Sequence, residues 1–238
     1  MNVAVCFSGG IRYPHIGLES LKKIIPNNNV KIFIHTWKVY DRNLFLDTVH
    51  GLEYKEHDNT LNTHYSILES YDYETLLIEN FDTIKPLFEQ KFQSLKFSKY
   101  HRNDIGPMSM HYSIHKSNEL KREYERQHNM IFDCVIRMRF DSDFQNKTLD
   151  LVNFNNGLFI PEGEDWNGGI NDQFALGSSP TIDVYSDVIN HLESLQSHSY
   201  HPETLLRKYL ELKGISVQRF DFPVKINNNI DFRKVMFG

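Results

Sequence analysis

Apolar and polar residues alternate between short apolar runs and helical stripes along this chain. Val3 to Phe7 is an apolar run of strand length, broken at once by Ser8-Gly9-Gly10. Leu18, Leu21, Ile24 and Ile25 then recur at helical spacing, and Pro26-Asn27-Asn28-Asn29 stops that helix. Val30 to Ile34 predicts a second strand, ending at His35-Thr36-Trp37. Strand, loop, helix and strand in that order open an α/β sheet of largely parallel strands. From about residue 40 to 105 the pattern is weaker: Tyr73 to Ile78 reads as a strand, Ile84 to Phe92 as a helix, and Phe97 to Asp104 as a polar surface loop. Gly106-Pro107 opens a long helix from Met108 to about His128, whose Lys-, Arg- and Glu-rich second half, around Lys121 to Arg126, reads as a solvated face.

Phe132 to Phe140 predicts a central strand and Gly157 to Pro161 another short one. Glu162 to Asn171 is a loop rich in Gly, Asp and Asn, of the kind that carries function. Helices follow over about Pro180 to Leu195 and Pro202 to Lys213, then a short strand near Ile215 to Phe220 and an irregular tail. The expectation is a single domain of α/β class, a Rossmann-like mixed, mostly parallel sheet flanked by helices.

The chain of 238 residues is long enough for one full core. A hydrophobic content of 40% and an aromatic content of 13% exclude a disordered chain. The formal charge of −5 gives no global attraction for nucleic acid or an anionic membrane. No apolar run approaches the length of a membrane span. The amino-terminal segment enters a strand without a basic region or cleavage signal, which predicts a cytoplasmic enzyme. Cys6 and Cys134 lie inside apolar runs and read as buried core residues.

The chemistry concentrates at Val135-Ile136-Arg137-Met138-Arg139-Phe140-Asp141-Ser142-Asp143. Strand alternation puts Cys134, Ile136, Met138 and Phe140 on one side, and Val135, Arg137, Arg139, Asp141 and Asp143 on the other. An apolar strand has no structural need for such a row, and buried ions are costly unless paired or bound to a ligand. Two carboxylates at a strand end suit a hard ion, Mg²⁺ or Mn²⁺, which in turn holds a diphosphate. On that reading Asp143 binds the metal directly, Asp141 meets the ribose or reaches the metal through water, and Arg139 steadies the aspartates or a phosphate. The competing reading is a structural network in which the arginines simply neutralise the aspartates.

Two further motifs sit after strands. Ser8, Gly9 and Gly10 let the backbone approach a ligand, amides at a following helix start favour anions, and Arg12 can pair with a phosphate. A tight turn alone would also explain the glycines. An ATP-pyrophosphatase loop begins Ser-Gly-Gly too, but its Asp and Ser are replaced here by Arg12 and Tyr13. Trp166-Asn167-Gly168-Gly169-Ile170-Asn171-Asp172-Gln173 offers amides, a carboxylate and an apolar ring face suited to a hydroxyl-rich sugar. Asp172 is the first choice for a general base, against a bland role as a turn cap. His35 or Thr36 at a strand end suits a pocket wall, with packing an equal reading for Trp37. His111 and His115 have zinc spacing but no third ligand, and read as ordinary helix surface. His201-Pro202-Glu203 reads as a helix start.

Taken in order, Cys6-Phe7-Ser8-Gly9-Gly10-Ile11-Arg12, Phe33-Ile34-His35-Thr36-Trp37, Val135 to Asp141 and Asn171-Asp172-Gln173-Phe174-Ala175 resemble the small GT-A-type glycosyltransferases of polysaccharide gene clusters, phages and large DNA viruses. The resemblance implies transfer of a sugar from a nucleotide-diphosphate sugar, UDP- or GDP-linked first of all, to a saccharide acceptor. It implies a nucleotide-binding half over about 1–145 and an acceptor half over about 146–238. It carries nucleotide contacts onto Ser8, Gly9 and Arg12, and metal or diphosphate contacts onto Asp141 and Asp143, with Mn²⁺ or Mg²⁺ as cofactor; Gly10, His35 and Arg139 join that site by their positions at strand ends. Asn171, Asp172 and Gln173 would approach the transferred sugar or acceptor. With inversion at the anomeric carbon Asp172 is the base, with Asp165 or Glu164 behind it; with retention Asp172 and Gln173 position the donor. The classes that compete are a nucleotide-sugar hydrolase or nucleotidyltransferase and a non-catalytic glycan-binding domain.

Overall fold

The first strand, β1 (Val3–Gly9), divides the protein into two cores. Val3, Val5 and Phe7 point into one apolar cluster, and Ala4 and Cys6 into the other, so the strand is buried on both faces. A strand of this kind requires helices above and below. The computed structural model describes residues 1–25, 30–38, 66–100, 104–144, 148–154 and 156–226. The expected helix stop at residues 26–29, the stretch 39–65 and the tail from residue 227 lie outside them.

After β1 come α1 (Pro14–Ile24), β2 (Val30–Lys38), β3 (Thr75–Asn80), α2 (Phe81–Ser94) and the short β4 (Lys99–Tyr100). Then follow α3 (Gly106–His128), β5 (Cys134–Met138), β6 (Ser142–Asp143), β7 (Leu158–Pro161) and β8 (Ala175–Gly177). The described part closes with α4 (Ser179–Tyr185), β9 (Ser199–Tyr200), α5 (Pro202–Leu212), β10 (Val217–Phe220) and β11 (Lys225–Ile226). Seven strands form one sheet in the order β10-β7-β8-β5-β1-β2-β3. β8 runs antiparallel to β5 and β7, and every other pairing in that sheet is parallel. The protein is thus a single α/β domain with a mixed, mostly parallel sheet flanked by helices.

α1 covers one face through Leu18, Leu21 and Ile24. α2, α3, α4 and α5 cover the other through residues such as Phe88, Ile114, Ile182 and Leu206. Gly17 lets α1 sit close: a Cβ there would stand 2.5 Å from the carbonyl oxygen of Phe140.

Three local expectations change. The strand expected over Phe132 to Phe140 is shorter, because pairing with β1 ends at Met138 and Arg139 turns into an ion pair with Asp141. The helix expected over Pro180 to Leu195 is two pieces, α4 and a 3₁₀ segment Val188–Leu195. They part at Asp187, whose carboxylate takes the side chains of Asn190 and His191, a local bonding pattern that competes with helix continuation. The charged half of α3 is not a fully solvated face. Lys121 is wholly buried, bonded to Ser179 and paired with Glu125 at 2.9 Å and Asp183 at 2.8 Å.

Candidate functional site

The sheet order contains a switch point. From β1 the chain moves outward through β2 and β3, then crosses back to add β5 on the other side of β1. Two crossovers leaving a strand pair in opposite directions open a crevice beyond the carboxyl ends of those strands, where open α/β sheets bind ligands. A cavity of about 210 Å³ lies there. It is lined by Ser8, Gly9, Gly10 and Arg12 after β1, by Arg137 and Arg139 at the end of β5, by the first turn of α3, and by Pro202 at the start of α5.

The floor of the cavity is the glycine loop. The amide of Gly9 donates to Ser113 Oγ on α3 at 2.7 Å, and Thr36 Oγ1 on β2 donates to the Gly9 carbonyl at 2.9 Å. Gly9 has φ of 109°, open to glycine and strained for other residues, and added Cβ atoms at Gly9 or Gly10 would meet nothing within 4 Å. The glycines therefore keep backbone bare toward open space, not toward a packed neighbour. Arg12 N donates to the Gly10 carbonyl at 2.9 Å, and Tyr13 enters α1 in a left-handed conformation with φ of 48°. The 23-residue helix α3 points its amino terminus at the same space, adding a favourable dipole for an anion.

The wall is made by the arginines. Arg137 is 1% exposed; its Nε donates to Ser8 Oγ at 3.3 Å and its Nη1 to the carbonyl of Asp172. Arg139 Nε and Nη2 donate to the two oxygens of Asp141, each at 2.8 Å, a bidentate pair. Arg12 Nη2 lies 3.3 Å from Asp141 Oδ2 while the rest of its side chain is about half exposed. Burial alone would raise the Asp141 carboxyl, but Arg139 and then Arg12 outweigh it and hold it below its usual range. Asp143 is elsewhere in kind: it lies in β6, in register with Lys225 on β11.

Behind Arg137 sits an acid pair that the sequence reading found only in half. Asp172 is buried, and burial followed by the charge of Glu203 pushes its carboxyl up to about 6, against the opposing pull of Arg137 and Arg139. Glu203 stands in the first turn of α5, and His201 Nδ1 approaches its Oε2 at 2.6 Å. The loop is held to that helix by the Ile170 amide, which donates to the Glu203 carbonyl at 3.1 Å. Gly169 is required there because a Cβ would strike the Glu203 backbone. Glu203 was legible only as part of a helix start; nothing in the linear pattern joins it to Asp172. Asn171 is the residue that makes the turn, its Oδ1 accepting from the Gln173 amide at 2.8 Å. Gln173 Oε1 is buried, with no hydrogen-bond partner among the described residues.

Other expected site residues lie apart. His35 is fully buried behind the glycine loop, with Nδ1 2.7 Å from Ser113 Oγ and Nε2 2.9 Å from Glu79 Oε2. It supports Ser113, which receives the Gly9 amide, and does not line the cavity. Burial pulls its pKa down despite Glu79. Trp37 packs in the core, stacked on Tyr112 at 5.5 Å. Trp166 is 58% exposed and bonded to Glu164 Oε2, and it lines no part of the cavity. Asp165 is gripped at 2.9 and 3.0 Å by Arg219 and opens on a separate cleft between α5 and β10. His111, expected on the helix surface, is instead 2% exposed, because it belongs to the same buried stripe of α3 as Ile114, Asn118 and Lys121. Cys6 and Cys134 are buried free thiols, as expected, each pushed up to about 12 by burial.

The expected divalent ion does not fit the donor set. A hard cation needs several oxygen lone pairs aimed at one point. Both oxygens of Asp141 already accept from Arg139, and Oδ2 faces Arg12 as well. Among the described residues no three His, Cys, Asp or Glu side chains converge on a common point. What the geometry shows at Asp141 is a neutralising network, because Arg139 from the end of β5 and Arg12 from the glycine loop both turn onto it, while Arg137 turns to Ser8 and the Asp172 carbonyl.

No described helix is long and apolar enough to cross a membrane. The family model described as a domain of unknown function, DUF7796, matches residues 110–237, more than half of the chain. That span holds Arg137, Arg139, Asp141, Asp172 and Glu203, while the glycine loop and Arg12 precede it. No curated protein matches the chain.

Proposed function

The chain belongs to the family of the domain of unknown function DUF7796, and we propose that its switch-point cleft binds the diphosphate of a nucleotide-sugar for transfer of the sugar to a saccharide acceptor. The observation that carries this reading is the lining of the cleft. Three guanidiniums, a bare Ser-Gly-Gly backbone and a long helix's amino terminus meet at the switch-point crevice. That combination suits a diphosphate far better than a neutral sugar or a single carboxylate. The GT-A resemblance supplies the rest of the reading, and the mixed sheet is compatible with it.

In the reaction an acceptor hydroxyl oxygen forms a bond to the anomeric carbon while the bond from that carbon to the diphosphate oxygen breaks. The electron pair goes to the departing diphosphate. Arg12, Arg139 and the Gly9–Gly10 backbone are fixed where that charge builds, which is the usual source of the largest rate gain. In this reading the acceptor's proton goes to Asp172, which stands behind Arg137 and outside the cavity lining, and whose carboxyl, raised to about 6, is ionised at neutral pH yet basic enough to accept it. Arg137 and Tyr185 hold the Asp172 backbone carbonyl and so fix the loop that carries it.

The test is a thermal-shift screen of UDP-, GDP-, CMP- and dTDP-sugars, followed by assay of nucleotide release with saccharide acceptors. One nucleotide class present at about a hundred times its Kd should stabilise by about 2.7 kcal/mol. At about 2–4 °C per kcal/mol for a domain of this size, that is a rise of roughly 5–10 °C. Stabilisation by glycans without any nucleotide would favour a glycan-binding domain, and nucleotide release that ignores added acceptor would favour a hydrolase.

A further inference from the structure

We infer that nucleotide binding in this protein needs no divalent ion, and that Asp141 is an arginine clamp, not a metal ligand. The inference rests on the nucleotide-diphosphate reading of the cleft and deepens it.

The sequence Asp-Ser-Asp after a central strand invites a metal, but its first acid is already paired. Asp141 is 2% exposed and its two oxygens are consumed by a bidentate bond from Arg139. Arg12, arriving from the glycine loop, closes on Oδ2 at 3.3 Å. The carboxylate thus ties together two guanidiniums from different parts of the chain. Arg12 follows β1 and Arg139 follows β5, so Asp141 sets their spacing across the switch point. A carboxylate in this position does for two arginines what second-sphere acids do for metal-bound histidines: it orients them and lowers the entropy they lose on meeting a ligand.

The charge balance agrees. Among the described residues the cavity is lined by the cations Arg12, Arg137 and Arg139 and by no carboxylate. The lining therefore turns only cations toward the two negative charges of a nucleotide-sugar diphosphate, while the acids Asp141, Asp172 and Glu203 sit behind the guanidiniums. A metal-dependent site of similar size presents acids to the ion, and the ion to the phosphates. Here the cations are already part of the protein.

The experiment is isothermal titration of UDP and of GDP into the full chain, once with excess EDTA and once with saturating Mn²⁺. Free Mn²⁺ is followed separately by electron paramagnetic resonance with protein alone. The inference predicts that the better nucleotide binds with a Kd changed less than about threefold between the two buffers. It also predicts that protein alone leaves the free-Mn²⁺ signal intact. Asp141→Asn should weaken binding by the same factor in both buffers, because it loosens the arginines, whereas loss of a metal ligand would weaken binding only with Mn²⁺. If that variant does not fold, the wild-type titrations decide alone. Binding that appears, or tightens tenfold or more, only with Mn²⁺ overturns the inference and leaves the nucleotide reading standing. No binding of either nucleotide in either buffer overturns the inference together with the UDP- or GDP-sugar reading it rests on.

Discussion

Arg12→Ala separates a ligand-binding arginine from a structural one. The Arg12 side chain is 46% exposed and has one ion pair, at 3.3 Å, to Asp141 Oδ2. Exposed pairs of this kind contribute about 0.2–1 kcal/mol to stability. Asp141 would not be orphaned by the change, since Arg139 still donates to both of its oxygens at 2.8 Å. The variant should therefore lose at most about 1 kcal/mol, a fall in Tm of no more than roughly 4 °C. Ligand binding should suffer more. A charge-assisted hydrogen bond to a phosphate contributes about 1.5–3 kcal/mol. That corresponds to a Kd weakened by roughly 10- to 150-fold, at 1.4 kcal/mol per decade. Titration calorimetry with the nucleotide that stabilises the wild type gives the second number, and thermal melting gives the first. A variant that melts far lower yet binds as tightly as the wild type would refute the reasoning, because Arg12 would then be a structural residue facing away from the ligand.

The remaining predictions concern the acid pair and the scaffold. Asp172→Asn should abolish most turnover while leaving the Kd for nucleotide within a few-fold; equal losses in turnover and binding would make Asp172 a binding residue. The same group makes a stability prediction. Its folded pKa, about 6, lies above the ordinary 3.8, so the folded state holds the extra proton between those values and stability falls as pH rises through that window. Wild type should thus lose stability between about pH 4 and pH 6 from this group, and Asp172→Asn should lack that component; identical pH profiles by urea unfolding would contradict it. Lys121→Met should cost about 3–5 kcal/mol, because it leaves the Glu125 carboxylate buried without its cation, although Asp183 keeps Asn118 and Arg122, and a loss under about 1 kcal/mol would mean that the cluster is hydrated. Gly17→Ala should cost about 1–3 kcal/mol by forcing α1 off the Phe140 carbonyl, and an unchanged Tm would mean that the helix shifts freely.

Most of the scaffold could be read from the linear pattern: β1 begins with the unbroken apolar run Val3 to Phe7, and Val30 to Ile34 of β2 and the whole of β5 are apolar runs broken only by Lys31 and Arg137. β8 escaped because a strand of only three residues shows no period, yet it is the strand that makes the sheet mixed. The buried Lys121 escaped for a different reason: charge normally marks a solvated face, and only the continuation of the His111, Ile114, Asn118 stripe to position 121 betrays its burial. At the site, Ser8, Gly9, Gly10, Arg12 and Arg139 line one cavity as their positions after two strands implied. What sequence could not convey was pairing. Whether Asp141 faces a ligand or an arginine depends on the turn after Met138, and whether Asp172 has an acidic neighbour depends on α5 returning to the loop.

The most direct measurement is a crystal structure of the protein with the nucleoside diphosphate that gives the largest thermal shift. The account predicts the diphosphate in the crevice between β1 and β5, its oxygens within hydrogen-bond distance of Arg12, Arg139 and the Gly9–Gly10 backbone, with Asp141 still clamped by Arg139. A diphosphate bound elsewhere, with that crevice filled only by solvent, would contradict it.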